Sequence, residues 1–258
     1  MPSRTPLPRP DIGTPIDRNL ALELVGVTEG AAVAAARFTG RNLKEDADQA
    51  AVDSMRRSLG VVDMDGVVVI GEGEKDEAPM LYIGERVGNG HPPRVDVAVD
   101  PIDGTRLVAR GLPEGIATVS LAERGSLFHT RCYYMEKLIV GPRAAKVIDI
   151  TDTVAHNLKR IARAEGREVD DLTVVVLDRP RHDRLLSEIR ATGARVKLIM
   201  DGDVTAGLMA AMEHRTGVDV LMGVGGAPEA VLAACAVKAV GGGMQGRLAP
   251  RDDAELAV

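Results

Sequence analysis

Beyond residue 153 the chain repeats one rhythm: helix 153–165, strand 172–177, helix 182–191, strand 196–200, helix 203–213, strand 218–224 and helix 228–239. Strands that alternate with helices at this spacing build βαβ units, which predicts an α/β class. In open sheets of that kind ligands collect beyond the carboxyl ends of the strands. Those ends carry Asp178-Arg179-Pro180-Arg181-His182, Asp201-Gly202-Asp203 and Gly223-Val224-Gly225-Gly226-Ala227-Pro228-Glu229. Three polar or glycine-rich segments at equivalent places predict one pocket.

The first half is organised differently. From residue 17 to about 38, Leu20, Leu24, Val27, Ala31 and Ala35 recur at helical spacing and predict a long helix that Gly40 ends. Asn42, with Glu45 three positions later, reads as a capping-box-like start for a second helix whose buried face holds Ala47, Ala50, Ala51 and Met55. Val67 to Ile70 reads as a buried strand ending at Gly71-Glu72-Gly73-Glu74. Residues 95–99 alternate as a strand that delivers Asp100 at its carboxyl end; 116–121 alternate likewise, and 138–140 form another strand.

The turn after that first alternating strand is Asp100-Pro101-Ile102-Asp103-Gly104-Thr105. Pro101 fixes one torsion and Gly104 permits a left-handed bend, so two carboxylates three residues apart can converge. Converging carboxylates repel unless something positive lies between them. A hard divalent cation, Mg²⁺ or Mn²⁺, takes such oxygen ligands and leaves positions for water and phosphate. A solvated Asp-Pro turn has the same spacing. Other pairs are equally open: Lys44 and Asp48 fit a surface i,i+4 ion pair, Asp203 fits an N-cap, and Glu229 suits the dipole of its own helix. Tyr134 fits a half-buried strand, and His182, at a helix start, fits a structural role.

The turn Asp100 to Thr105 resembles the signature of the metal-dependent, lithium-sensitive sugar and inositol phosphatases. The longer run Gly71-Glu72-Gly73-Glu74-Lys75-Asp76-Glu77-Ala78-Pro79-Met80-Leu81 resembles one branch of them, the class II (GlpX-type) fructose-1,6-bisphosphatases. This resemblance covers about Arg18 to Asp253 and implies a sugar-phosphatase fold of alternating helix and sheet layers in two lobes. Residues 1–16 would be a flexible proline-rich arm, 17–150 a metal-binding lobe and 151–258 an α/β substrate-binding lobe. Family members continue further, so the C-terminal lobe is expected to be shortened.

The resemblance also implies a reaction: hydrolysis of the 1-phosphate of fructose 1,6-bisphosphate in gluconeogenesis, by a water activated by Mn²⁺ or Mg²⁺. The implied metal ligands are Asp48, Glu72, Asp100, Asp103 and Glu229, and the implied catalytic groups are Lys44, Glu74, Asp76 and Thr105. Asp103, Gly104, Thr105, Tyr134, Asp201, Gly202, Asp203, Gly225 and Gly226 would hold the sugar bisphosphate. Arg179, Pro180 and Arg181 would take the phosphate that is not cleaved, a role for which paired guanidinium donors are suited. Alternatives are sedoheptulose 1,7-bisphosphate or an inositol phosphate as substrate, or a catalytically weak truncated binding homologue. Dimers or tetramers are the family expectation. Ala230 departs from the glycine that usually follows the Gly-Gly-Ala-Pro-Glu run, and alanine suits a helix there.

Composition narrows the partners. A formal charge of −6 with two Phe, three Tyr and no Trp argues against nucleic acid, which rewards basic patches and stacking rings. No apolar run approaches membrane-spanning length, and residues 1–16 hold five prolines but no apolar signal segment. Two cysteines, Cys132 and Cys235, read as reduced thiols, consistent with cytoplasm.

Overall fold

The computed structural model describes residues 15–73, 80–252 and 255. The arm expected over 1–16 lies outside them except for its last two residues, which open the first helix. Helices α1 (Pro15–Ala36) and α2 (Lys44–Leu59) come first. They precede β1 (Asp65–Ile70), β2 (Arg86–Val87), β3 (Arg94–Asp103), the short α3 (Thr105–Arg110) and β4 (Ile116–Glu123). These strands form a four-stranded sheet in the order β2-β1-β3-β4.

The second half runs β5 (Tyr134–Val140), α4 (Val154–Glu165), β6 (Thr173–Leu177), α5 (Asp183–Ala191), β7 (Arg195–Ile199) and α6 (Asp203–Ala211). It continues through α7 (Glu213–Thr216), β8 (Val220–Gly226), α8 (Ala227–Ala239) and β9 (Gly243–Leu248). The alternation expected beyond residue 153 is present, and β6 runs parallel to both β7 and β8. The five strands lie in the order β7-β6-β8-β5-β9. Strand β5 is antiparallel to its neighbours β8 and β9, so residues 134–140 belong to the second sheet although they precede residue 150.

Side-chain alternation stacks the layers. In the second sheet Leu138, Val140, Val174, Val176 and Val220 face a core shared with Leu158 and Ile161 of α4 and Ile189 of α5. Their alternates Ile139, Val175 and Leu221 face Ala206 and Ala210 of α6 and Ala233 and Val237 of α8. In the first sheet Val95, Val97 and Val99 pack on Val27, Ala31 and Ala35 of α1 and Ala51 and Met55 of α2. Ala98 and Ile70 turn the other way, onto Val204 of α6 and Val231 and Leu232 of α8. The layer order is therefore helices, sheet, helices, sheet, helices. The middle pair is rich in small residues because it is covered on both faces, and each buried Val or Leu contributes about 1.5–3 kcal/mol.

One local expectation fails. Asn42 does not cap α2: it takes a left-handed φ of 57°, Leu43 occupies the cap position, and no side chain caps that helix end. The backbone there is committed elsewhere, with Gly40 N–H donating to Val108 O and Asn42 N–H to Ala109 O, which ties the α1–α2 connection to α3.

Candidate active site

The parallel strands β1 and β3 of the first sheet each carry a bulge at the carboxyl end. In β3, Asp100 opposes Thr118 and Asp103 opposes Ile116, so β3 has one residue more than β4 over this interval. Residues three apart on a regular strand face opposite sides. The extra residue brings Asp103 round to the side of Asp100. In β1, Val68 opposes Val97 while Ile70 opposes Ala98, which swings Ile70 from the outer core to the inner one just before Glu72. Convergence was expected from a turn at Pro101 and Gly104; the bulged strand end achieves it instead. Gly104, with φ 87°, then caps α3, whose first residue is Thr105.

Beyond these strand ends lies a cleft of about 670 Å³ lined by Lys44, Asp48, Glu72, Asp100, Asp103, Gly104, Thr105, Arg106, Tyr133, Asp201 and Glu229. All five expected metal ligands therefore face one space, together with Lys44 and Thr105. Glu74 and Asp76 lie outside the described residues.

The carboxylates are poorly solvated and close enough to repel one another. Burial raises Asp100 well above the usual range, with Asp103, Glu229 and Glu72 adding to the effect, and its Oδ1 accepts from Ile102 N–H at 3.0 Å. Glu72 is pushed up to about 7 by burial, Asp48 and Glu229. Asp103 also rises to about 7 through burial, Asp203 and Glu229. Its Oδ2 accepts from Val204 N–H at 3.0 Å and Thr205 N–H at 3.3 Å, so it caps α6 from the other sheet. Burial raises Asp48 as well, against the opposing pull of Lys44 and a hydrogen bond to Thr105. Thr105 Oγ1 donates to Ile102 O at 3.2 Å. Burial and Asp203 raise Glu229, whose Oε2 is buried without a hydrogen-bond partner among the described residues.

A buried acceptor left unsatisfied costs about 1–3 kcal/mol, more when charged. Desolvated oxygen donors, one of them orphaned, fit a hard divalent cation. They ring the cleft rather than closing on one point, since among the described residues no three acidic or other ligating side chains are grouped as a ready-made cage.

The second sheet supplies the rest. Gly225 and Gly226 lie beneath carboxylates: a Cβ on Gly225 would stand 1.9 Å from Asp203 Oδ2, and one on Gly226 would stand 1.9 Å from Glu229 Oε2. These glycines make room for acid groups. Asp203 is the first residue of α6, after Gly202 at φ 81°, and its Oδ2 accepts from the fully buried Lys137 Nζ at 2.6 Å. The N-cap position expected for Asp203 belongs to Gly202.

Asp201 lines the cleft and meets two arginines, Arg106 and Arg179. Arg181 donates through Nε and Nη2 to Val224 O and lies 5.2 Å from the Tyr134 ring centre. It faces a separate groove of about 750 Å³ against α4 and α5. Pro180 sits in the short turn that joins Arg179 to His182. His182 is structural, as its position suggests: Nδ1 donates to Leu177 O at 2.7 Å and Nε2 accepts from Val224 N–H at 2.8 Å. Burial lowers its pKa.

Three residues of the site escaped the sequence reading. Tyr133, the neighbour of Tyr134, lines the cleft. Lys137 carried a usable signal, a charge leading directly into the apolar run Leu138-Ile139-Val140. Arg106 follows Thr105 directly, but its partner Asp201 is 95 positions away.

A sequence model of the bacterial, glpX-encoded fructose-1,6-bisphosphatases matches residues 18–258. The chain belongs to this family. Over 236 residues it is 48% identical to fructose-1,6-bisphosphatase 1 class 2 of Escherichia coli (strain K12), covering 92% of this chain and 70% of that protein. It is likewise 48% identical over 233 residues to the D-fructose 1,6-bisphosphatase class 2/sedoheptulose 1,7-bisphosphatase of Prochlorococcus marinus (strain NATL1A), covering 90% and 70%. The family is one of metal-dependent phosphatases, in keeping with the acid-lined cleft. No helix among the described residues is long and apolar enough to cross a membrane.

Proposed function

We propose that the chain hydrolyses the 1-phosphate of fructose 1,6-bisphosphate, giving fructose 6-phosphate and inorganic phosphate. The observation that carries this reading is the convergence of Asp48, Glu72, Asp100, Asp103 and Glu229 on one cleft with Lys44 and Thr105. Held by those five carboxylates, Mn²⁺ or Mg²⁺ would supply positive charge to the phosphoryl oxygens and make the attacking water more acidic. Thr105, whose hydroxyl donates to Ile102 O beside Asp48, orients that water through its oxygen, and Glu74 or Asp76 serves as its base. Lys44 pulls Asp48 towards the ionised form against the effect of burial. Asp201 and the Gly202 backbone face the sugar, while Asp203 acts from beneath through Lys137. Of the Arg179-Pro180-Arg181 segment, Arg179 serves the phosphate that stays, while Arg181 holds the Val224 carbonyl and faces the separate groove.

The Asp100–Thr105 signature supports placing the chain among the lithium-sensitive phosphatases, so Li⁺ should inhibit it. Its acidic charge suits a small substrate taken with its cation rather than nucleic acid, and we place it in the cytoplasm as a dimer or tetramer. A second reading, sedoheptulose 1,7-bisphosphate as an additional substrate, is favoured by the double name of the Prochlorococcus relative.

Phosphate release from both bisphosphates with Mn²⁺ and with Mg²⁺ tests these readings. Turnover should vanish on thorough chelation and return with the cation, and Asp100→Ala should lower kcat by about 10³-fold or more. Turnover that survives chelation would sink the mechanism.

A further inference from the structure

The lip of the acid-lined cleft carries a feature of opposite sign. Arg106, on α3, lines the cleft beside Thr105. Its Nε donates to Asp201 Oδ2 at 3.3 Å, and its Nη2 donates to Asp201 Oδ1 and to Met200 O, each at 3.3 Å. Arg179 approaches the same carboxylate from the second sheet, with Nη2 3.6 Å from Asp201 Oδ1, and is anchored by Nη1 donating to Asp178 O at 2.8 Å. Burial lowers the pKa of Arg179, and the nearby Arg106 guanidinium adds to the effect.

One forked guanidinium is enough to satisfy one carboxylate. Two guanidinia on Asp201 leave a surplus positive charge, and the contacts of Arg106 use Nε and Nη2, leaving its Nη1 edge to a ligand. The side chain of Arg106 is 46% exposed and lines the cleft, and that of Arg179, 23% exposed, reaches solvent beside the cleft-lining Asp201. The cleft volume of about 670 Å³ suits a small ligand. A bisphosphate brings two dianions to it. One must sit among carboxylates, where only a metal can hold it; the other needs a fixed cationic seat, and paired guanidinia match a phosphate in shape and charge.

We propose that Arg106, jointly with Arg179, seats the phosphate that is not cleaved, and that Asp201 is the counter-ion holding the two guanidinia together before substrate arrives. This deepens the bisphosphatase reading and rests on it. It adds a residue from the opposite half of the molecule to the Arg179 segment and gives Asp201 a second role beside contact with the sugar.

The test uses the full metal-loaded chain with Arg106→Met and Arg106→Lys, and both fructose 1,6-bisphosphate and fructose 1-phosphate, which lacks the second phosphate. Arg106→Met should raise KM for the bisphosphate about 10- to 100-fold with a smaller change in kcat, the scale of one lost charged hydrogen-bond set. Its loss in kcat/KM should be at least about tenfold greater on the bisphosphate than on fructose 1-phosphate. Titration calorimetry with fructose 6-phosphate should show a matching loss of affinity, partly recovered in Arg106→Lys, which keeps the charge but not the fork. Equal losses on the two substrates would overturn the proposal, because that is what a merely structural arginine gives. If the wild-type chain turns over neither sugar phosphate, the functional reading fails, and the calorimetry still decides this one: fructose 6-phosphate that binds Arg106→Met as well as wild type, or binds neither, overturns it.

Discussion

The two sides of the cleft follow opposite electrostatic plans. On the side built by the first sheet and α2, Asp48, Glu72, Asp100 and Asp103 are desolvated, mutually repelling and held by few hydrogen bonds. On the side built by the second sheet the buried charges are already answered, Lys137 by Asp203 and Arg181 by Val224 O, and only Arg179, which shares Asp201 with Arg106, has charge to spare. The first side carries more negative charge than Lys44 and Arg106 can offset, whereas the second is close to a finished scaffold. Glu229 belongs by chain to the second side and by behaviour to the first, since among the described residues its Oε2 has no hydrogen-bond partner. Binding energy is thus left unspent where a cation and a phosphoryl group would enter, and local geometry is secured where the sugar would lie.

The difference is most sharply broken at Lys137. Lys137→Met strands the buried Asp203 and should destabilise the fold by about 3–5 kcal/mol in urea unfolding, with Lys137→Met/Asp203→Asn recovering part of the loss. A cost below about 1 kcal/mol would mean that the scaffold side is no better satisfied than the acidic one. The adjacent glycines separate the two behaviours. Gly225→Ala strikes the paired Asp203 and Gly226→Ala the orphaned Glu229. Each should cost about 1–3 kcal/mol, but Gly225→Ala should cost more stability and Gly226→Ala more turnover. The reverse ranking, read from melting curves and phosphate release, would contradict the contrast.

The gentlest probe is pH. Glu72 and Asp103 titrate near 7 in the folded chain, against ordinary values of 4.5 and 3.8, so between about pH 4 and 7 the folded state holds more protons than the unfolded state. Their contribution to stability therefore falls as pH rises through that window. Acids lowered by partners, such as Asp65 beside Arg86 and Asp152 bonded to Thr153 N–H, act in the opposite direction only at more acid pH, and His182, lowered by burial, opposes the trend within the window as one group against two. In EDTA the Tm should drop from pH 5 to 7, and Glu72→Gln should make that slope shallower. A Tm that climbs over the same interval would show that the carboxylates are not under strain.

Much of the second half was legible because its signals are local: helix and strand periods change within a few residues, and Gly166, at φ 68°, ends α4 where the pattern stops. The α1 stripe of Val27, Ala31 and Ala35 was legible for the same reason. The bulges in β1 and β3 were not, because an extra residue is defined only against a partner strand that is distant in sequence. Asn42 misled because capping competes with backbone bonds to Val108 and Ala109, more than 60 residues on. Lys137–Asp203 and Arg106–Asp201 join residues 66 and 95 positions apart, so the chemistry of each residue was visible and its partner was not.

Helices α6 and α8 are apolar on both faces and serve both sheets. Each sheet has one face closed by its own helices and, among the described residues, the other closed chiefly by this shared pair. Neither half can then melt away and leave the other as a finished remnant, because whichever remains exposes the middle layer to water. Unfolding should accordingly be cooperative across the stacked layers, and the cleft, which lies on the seam and whose Asp103 caps α6, should disappear with the first breach rather than the last.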